Sequence, residues 1–395
     1  MLGNDNGVSR RNVLKLAGAS VATAAGSGLA AAKPDDTVEV NVGFKSDRGR
    51  GAALDKADET VREFNSIDAL TLRLPKKAAT ALESNPNIRY VEENGTMHAL
   101  AQDLPWGVDR VDAEVAHANG NTGEGTDIAI IDTGIDSDHP DLQANLGAGK
   151  AFVECGTGGF TGSCSFQGND NACNEPWDDD NDHGTHCAGT ADGVDNSEGV
   201  VGVSTEATLH AVKVLDCGGG GSMSDIAAGI EYVADQGWDV ASMSLGGDAS
   251  STLKDAVEYA ASEGVFLVAA AGNDGECTDC VGHPAAYDEV MAVSSTNDSD
   301  ELSSFSSTGS EVEIAAPGSD VYSTIPGGYD TFSGTSMACP HVAGAAGQLI
   351  ADGNDAATTR QQLKDTAEDI GLGDNESGAG LLDAAAALGY DSSDD

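Results

Sequence analysis

Basic side chains are almost missing from most of this 395-residue chain. Residues 101–395 hold 6 Lys+Arg against 53 Asp+Glu, whereas residues 1–100 balance 13 against 13. The whole net charge of −47 therefore lies beyond residue 100, and the shift in composition marks a boundary there. So acidic a surface repels phosphate backbones and anionic lipid heads, which argues against nucleic acid as a partner. Disorder is another common meaning of strong net charge. It is excluded by apolar runs such as 126–131 (TDIAII) and 265–270 (VFLVAA), which recur through the acidic part. A folded domain working in concentrated salt fits better, because screening shortens the reach of self-repulsion. Loss of structure at low salt is the expectation.

Long hydrophobic runs are missing too. The stretch 16–32 is short and rich in Gly, Ala and Ser, below the roughly 20 strongly apolar residues of a membrane span, so no stable membrane anchor is expected. Ahead of it, Ser9-Arg10-Arg11-Asn12-Val13-Leu14-Lys15 resembles a twin-arginine export signal, and Ala30-Ala31-Ala32 offers an A-x-A cleavage site. Residues 1–32 thus read as a signal peptide for the twin-arginine export machinery, and the protein as extracellular, exported already folded. All eight cysteines lie beyond residue 100: Cys155, Cys164, Cys173, Cys187, Cys217, Cys277, Cys280 and Cys339. That compartment permits disulfides, though spacing leaves their connectivity open. A zinc site at Cys277 and Cys280 lacks a second ligand pair at suitable spacing. Cys187 and Cys339 fall on apolar helical faces and read as buried thiols.

Within residues 33–100, strand-like alternation at 37–44, 69–74 and 88–92 interleaves with helical character at 51–64 and 76–85. The rhythm is β-α-β-β-α-β, that of a small ferredoxin-like α+β unit. From residue 101 onward the pattern becomes α/β. Strands are expected at 127–131, 207–215, 239–244, 265–270, 289–295 and 312–315. Helices are expected at 111–119, 184–192, 222–236, 251–263, 336–351 and 358–367. Continuously apolar strands between helices imply a mainly parallel sheet covered on both faces, a three-layer fold. Ligands of such sheets bind outside the carboxyl ends of the strands, where Asp132 falls.

Three motifs carry chemistry. Ile130-Ile131-Asp132-Thr133-Gly134 is a buried strand ending in an acid. Asp182-His183-Gly184-Thr185-His186 is a turn opening a helix with a histidine at its start. Ser333-Gly334-Thr335-Ser336 is a glycine turn placing a hydroxyl at the head of an apolar helix. A free serine attacks an amide only when a base takes its proton, and a helix N-terminus presents N–H groups to a developing oxyanion. Alone, the last motif would be a helix cap. Together, the acid, base and nucleophile follow one of the known triad orders. A metal site of Asp132, His183 and His186 would leave Ser336 unexplained.

These motifs resemble the subtilisin-like serine proteases, the subtilase family, and among them the haloarchaeal extracellular halolysin-type enzymes. The segments 101–108, 199–203, 316–318 and 378–384 are also family-like, so the resemblance covers nearly all of 101–395. It implies a subtilisin-like peptidase domain over 101–395. His183 becomes the base rather than His186, and Asn273 the side-chain donor to the oxyanion. Ser244, Leu245, Gly246 and Gly247 pair the substrate backbone as an added strand. Gly282 is the base of a deep pocket for large apolar residues before the scissile bond. A structural Ca²⁺ site follows, with side-chain ligands Gln102, Asp141 and Asn196 and carbonyl ligands Val194, Glu198 and Val200. Weaker cation sites fall near Glu311 and Glu313 and in the run 178–182. Residues 33–100 become an inhibitory propeptide that templates folding, is cut near Leu100–Ala101 by the enzyme itself, and blocks the cleft until degraded. Cys339 and the cysteine-bearing loop 153–177 depart from the bacterial pattern, and the C-terminal extension of many haloarchaeal relatives is not expected here. The expected protein is a secreted, halophilic, monomeric endopeptidase acting on protein and peptide substrates through an acyl-Ser336 intermediate, without an organic cofactor. The rivals are a non-catalytic subtilase-fold binding protein, and an esterase or peptide ligase using the same triad.

Overall fold

A computed structural model describes residues 37–64, 66–94, 102–156, 173–275 and 277–392. The expected signal peptide, the Leu100–Ala101 junction and Cys164 lie outside these residues. The chain divides into two units, residues 1–99 and 100–395.

In the first unit β1 (Thr37–Phe44), α1 (Asp47–Leu54), β2 (Glu59–Glu63), β3 (Ala69–Pro75), α2 (Lys76–Glu83) and β4 (Ile88–Glu93) follow one another. The strands form an antiparallel sheet in the order β2-β3-β1-β4, the ferredoxin-like arrangement. Alternate residues Val38, Val40 and Val42 of β1 and Leu70, Leu72 and Leu74 of β3 supply its core. Residues 59–63 correct the sequence reading, which made 51–64 helical. The helix stops at Leu54 and β2 is an edge strand exposed along its whole length. With neither face buried it carries no apolar period of two, so its backbone state does not show in the residues.

The second unit opens with α3 (Trp106–Arg110) and α4 (Ala113–Ala118), separated by Asp112 in a left-handed conformation (φ 56°), where one helix over 111–119 was expected. Then come β5 (Asp127–Asp132), β6 (Lys150–Ala151), α5 (His183–Asp192), β7 (Thr208–Lys213), α6 (Met223–Gln236), β8 (Val240–Met243) and α7 (Ser251–Ser262). Next are β9 (Phe266–Ala270), β10 (Met291–Thr296), β11 (Val312–Pro317), the hairpin β12 (Val321–Ile325) and β13 (Gly328–Phe332), α8 (Thr335–Ala351) and α9 (Ala356–Asp365). Seven strands form a parallel sheet in the order β11-β10-β9-β8-β5-β7-β6.

The reason for continuously apolar strands is visible in β5. Ile128 and Ile130 pack with α5 and α8 on one face, while Ala129 and Ile131 pack with α6 and α7 on the other. A strand buried on both faces has no polar side to alternate with. β5 is also where the sheet reverses direction, for the chain adds β7 on one side of it and β8 on the other. A crevice opens at the carboxyl end of such a strand, and Asp132 is the last residue of β5.

Among pairs wholly within the described residues, the disulfides Cys155–Cys173 and Cys277–Cys280 close surface loops, whereas Cys187 and Cys339 are free and buried. Among the described residues no helix is long and apolar enough to cross a membrane.

Candidate active site

Asp132 is fully buried, and its Oδ1 accepts the Thr133 N–H at 2.6 Å. The same carboxylate receives His183 Nδ1, at 2.8 Å from Oδ1 and 3.0 Å from Oδ2. Since carboxylate oxygens only accept, Nδ1 carries the proton and the other ring nitrogen is left to act as a base. Burial works to lower the His183 pKa. The adjacent Asp132 charge outweighs burial, and the imidazole titrates well above the ordinary 6.5. The Cys187 thiol, 3.9 Å from Nδ1, is pushed up by its own burial and stays neutral there.

His183 is held at the head of α5 by partners that supply the missing cap. Thr133 Oγ1 accepts the Gly184 N–H at 2.8 Å, and Asp179 Oδ2 accepts both the N–H and the hydroxyl of Thr185 at 2.9 and 2.7 Å. The acidic run 178–182 thus has an occupation other than the cation site expected of it. Asp178 accepts the N–H groups of Ser137 and Glu175, and Asp180 those of Gly156 and Lys213. Both Asp178 and Asp179 are fully buried. His186 points away from the site: its Nε2 meets the Val321 carbonyl at 3.0 Å, its ring stacks on Phe332, and burial lowers its pKa to about 4.

Ser336 is the second residue of α8. Pro340, inside that helix, has no N–H to give the Ser336 carbonyl four residues back. The gap is filled from outside the helix, by the Ser244 hydroxyl at 2.7 Å and the Cys187 thiol at 3.4 Å. In return Ser336 Oγ donates to the Ser244 carbonyl at 3.2 Å. The hydroxyl rests on that carbonyl, a contact that substrate can exchange for the base.

Asn273 stands just past β9 with its Oδ1 accepting the N–H and hydroxyl of Thr335, at 2.9 and 3.0 Å. That fixes which way the amide faces. A methyl placed on Gly334 would lie 3.5 Å from Asn273 Nδ2, 3.6 Å from the Ser336 nitrogen and 3.7 Å from Asn273 Oδ1, so both nitrogens border one small space. Two N–H groups aimed at one point can stabilise an oxyanion.

Two cavities flank the segment 244–247. One of about 730 Å³ is lined by Ser244, Leu245, Gly246, Gly247, Asn273, Gly282 and Ser336. A Cβ on Gly282 would meet nothing nearer than 3.8 Å, so the space there is open. The other cavity, about 420 Å³, runs from His183 to the glycine run 218–221 and the apolar side chains of Met223, Ile226 and Leu253. Gly247 and His283 exchange backbone hydrogen bonds of 2.9 and 3.0 Å between the two. The sequence reading missed the 218–221 wall, although four glycines after a strand are a signal for it. It also missed Thr133, Asp179 and Thr335.

The residues expected to bind calcium form one cluster. Gln102 Nε2 donates to the carbonyls of Val194 and Val200 at 2.6 and 3.0 Å, and Asn196 Nδ2 donates to Asp141 Oδ1 at 3.0 Å. Asp141 Oδ2 accepts the Val200 N–H at 2.8 Å, and the Glu198 N–H reaches Asn196 Oδ1 at 2.6 Å. Gly199 has φ 56°, and any Cβ there would collide with Asp141 Oδ2 and Tyr329 Oη at 2.0 Å. A buried carboxylate, amide oxygens and backbone carbonyls are the hard donor set that Ca²⁺ takes. The oxygens are of the right kind, and in this arrangement the Gln102 and Asn196 amide N–H groups occupy those of Val194, Val200 and Asp141.

Comparison with known proteins agrees with this geometry. The model of the subtilase family (peptidase S8) matches residues 123–381. Subtilisin E of Bacillus subtilis (strain 168) is 39% identical over 375 residues, covering 91% of this chain and 93% of that protein. An alkaline protease of Shouchella clausii is 43% identical over 334 residues, 83% of this chain and 81% of its own length. Alkaline elastase YaB of Bacillus sp. (strain YaB) is 38% identical over 387 residues, 93% and 96% respectively. With an acid, a histidine and a serine brought to the switch point of a parallel sheet, the chain belongs to the subtilase family and is a serine endopeptidase.

Proposed function

We propose that the protein is a secreted, halophilic endopeptidase in which Ser336 is the nucleophile, His183 the general base, Asp132 its orienter and Asn273 an oxyanion donor. The observation that carries this reading is the Asp132–His183 pair at 2.8 Å, with the Cys187 thiol 3.9 Å from His183 Nδ1 and 3.4 Å from the Ser336 carbonyl. Ser336 Oγ attacks the scissile carbonyl carbon as its proton passes to His183. Asn273 Nδ2 and the Ser336 N–H take the charge on the carbonyl oxygen. His183 then protonates the leaving amine, and water, activated by the same base, releases the acyl group from Ser336.

An extended peptide lies along 244–247 as an added strand, with its side chain before the scissile bond in the cavity over Gly282, which suits a large apolar group. Gln102, Asp141, Val194, Asn196, Glu198 and Val200 would hold a calcium ion, whose positive charge would offset the buried Asp141 carboxylate. Residues 1–32 serve as the export signal and 33–100 as an inhibitory propeptide removed by the enzyme itself. The net charge of −47 supports the halophilic reading.

The test is purification at high salt, following mass and casein digestion for wild type and Ser336→Ala. Wild type should shorten itself and digest casein, and the variant should do neither. A variant that still processes itself removes Ser336 from the mechanism. If neither protein cleaves anything, the binding-protein reading replaces this one.

A further inference from the structure

Of the six basic residues beyond residue 100, Lys213 is completely buried. An ammonium survives in a protein interior when its donors are matched and a countercharge is close. Here all three N–H donors have acceptors: the Thr133 carbonyl, Asp180 Oδ1 at 2.6 Å and the Leu215 carbonyl at 3.0 Å. The Asp180 side chain is only 4% exposed, and its other oxygen accepts the Gly156 N–H at 2.6 Å.

These acceptors bracket the catalytic pair. Thr133 follows Asp132 at the end of β5, and Asp180 lies in the loop that runs into His183. In the parallel β5–β7 ladder Lys213 stands directly opposite Asp132, so the two side chains share the face covered by α5. The N–H groups of Val214 and Leu215 donate to the Asp132 carbonyl at 2.9 and 3.2 Å, closing the same corner.

We propose that Lys213 is a positioning residue for catalysis, its ammonium tying the strand end that carries Asp132 to the loop that carries His183. The inference rests on the reading of Asp132 and His183 as orienter and base. Three carboxylates, Asp132, Asp179 and Asp180, crowd this corner with the His183 imidazole. Without the cation, Asp180 is a buried charge with no counterpart, and the loop must move outward to hydrate it, taking His183 with it. A lysine serving stability alone would change the unfolding midpoint and leave turnover per active site untouched.

Lys213→Met keeps the length of the side chain and removes its donors. Asp180→Asn keeps the shape and removes the countercharge. Both variants and their combination would be purified at high salt, with active sites counted by phenylmethanesulfonyl fluoride titration. The readings are kcat and KM on a chromogenic peptide, and kcat/KM against pH. Lys213→Met should lose on the order of 10- to 100-fold in kcat with KM little changed. Its acid limb should move to higher pH, because the unbalanced Asp180 charge favours the imidazolium. In the double variant the limb should return while kcat stays low, since charge balance is restored but the tether is not. Wild-type kcat per titrated site with an unshifted limb in Lys213→Met overturns the proposal. If that variant does not accumulate, Asp180→Asn decides: a lowered kcat with the limb moved to lower pH supports the tether, and wild-type values refute it. Retained activity in His183→Ala would instead sink the acid–base reading, a separate outcome.

Discussion

Thr335 holds Asn273 by two hydrogen bonds to one oxygen, from its N–H at 2.9 Å and its hydroxyl at 3.0 Å. The neighbour of the proposed nucleophile therefore fixes which way the amide of the proposed oxyanion donor faces. Thr335→Val removes the hydroxyl and leaves the Gly272 N–H, which now donates to it at 3.1 Å, without its acceptor. The expected costs are about 1–3 kcal/mol of stability and a fall in kcat of about tenfold, with KM unchanged. Denaturant unfolding and steady-state kinetics read the two separately. A destabilised variant with wild-type kcat would dissociate Thr335 from catalysis.

Gly334→Ala puts a methyl into the space bordered by Asn273 Nδ2 and the Ser336 nitrogen. Its φ of 165° is ordinary extended backbone, so strain is not the obstacle. A loss in kcat on the order of 10²-fold is expected, the scale of removing one oxyanion donor in a subtilisin. Stability should change by less than about 1 kcal/mol. An active Gly334→Ala enzyme would mean that the oxyanion sits elsewhere.

The pH profile follows from His183. The base works only when neutral, and although burial opposes its charge, Asp132 lifts its pKa well above 6.5. The acid limb of kcat/KM should therefore lie above that value, with activity lost as pH falls through it. The sign for stability is opposite. A raised folded-state pKa contributes stability that is fully present below about pH 6.5 and lost as pH rises through the folded value. Asp132→Asn should move the limb down and cut kcat on the order of 10⁴-fold. A limb that stays in place in that variant would contradict the pairing.

Calcium at a hundred times its Kd should add about 2.7 kcal/mol to unfolding. Asp141→Asn should abolish the calcium-dependent part of Tm while leaving kcat on small peptides near wild type. Calorimetry in concentrated NaCl, with Ca²⁺ or with a chelator, measures the increment. An equal increment in Asp141→Asn would place the ion somewhere else.

Salt should decide whether the acidic unit stays folded. Screening reaches about 3 Å in 1 M salt and about 30 Å in 0.01 M, so dialysis from concentrated to dilute NaCl should abolish the far-ultraviolet signal and activity together. A protein unchanged in dilute buffer is not halophilic.

Six strands of the seven-stranded sheet were legible because burial on both faces leaves a continuous apolar run, as in Ile128–Ile131, whereas the short, partly exposed edge strand β6 was not. The same logic hid β2 and β13, which have no fully buried face. Asp132, His183, Ser336 and Asn273 stood out because each belongs to a short contiguous motif. Their supports did not, since Thr335 meets Asn273 across 62 residues and Lys213 meets Thr133 across 80. Contacts at that range leave no local period to read.

The topology also fixes a timetable. Asp132 ends the first strand of the sheet to be synthesised, β5, and Ser336 opens α8, made after the last one, β11. A ribosome-bound chain acquires its acid early and its nucleophile only when every strand of that sheet has been translated. Partial products that stop short of α8 therefore hold no Ser336 with which to cut themselves or the machinery making them.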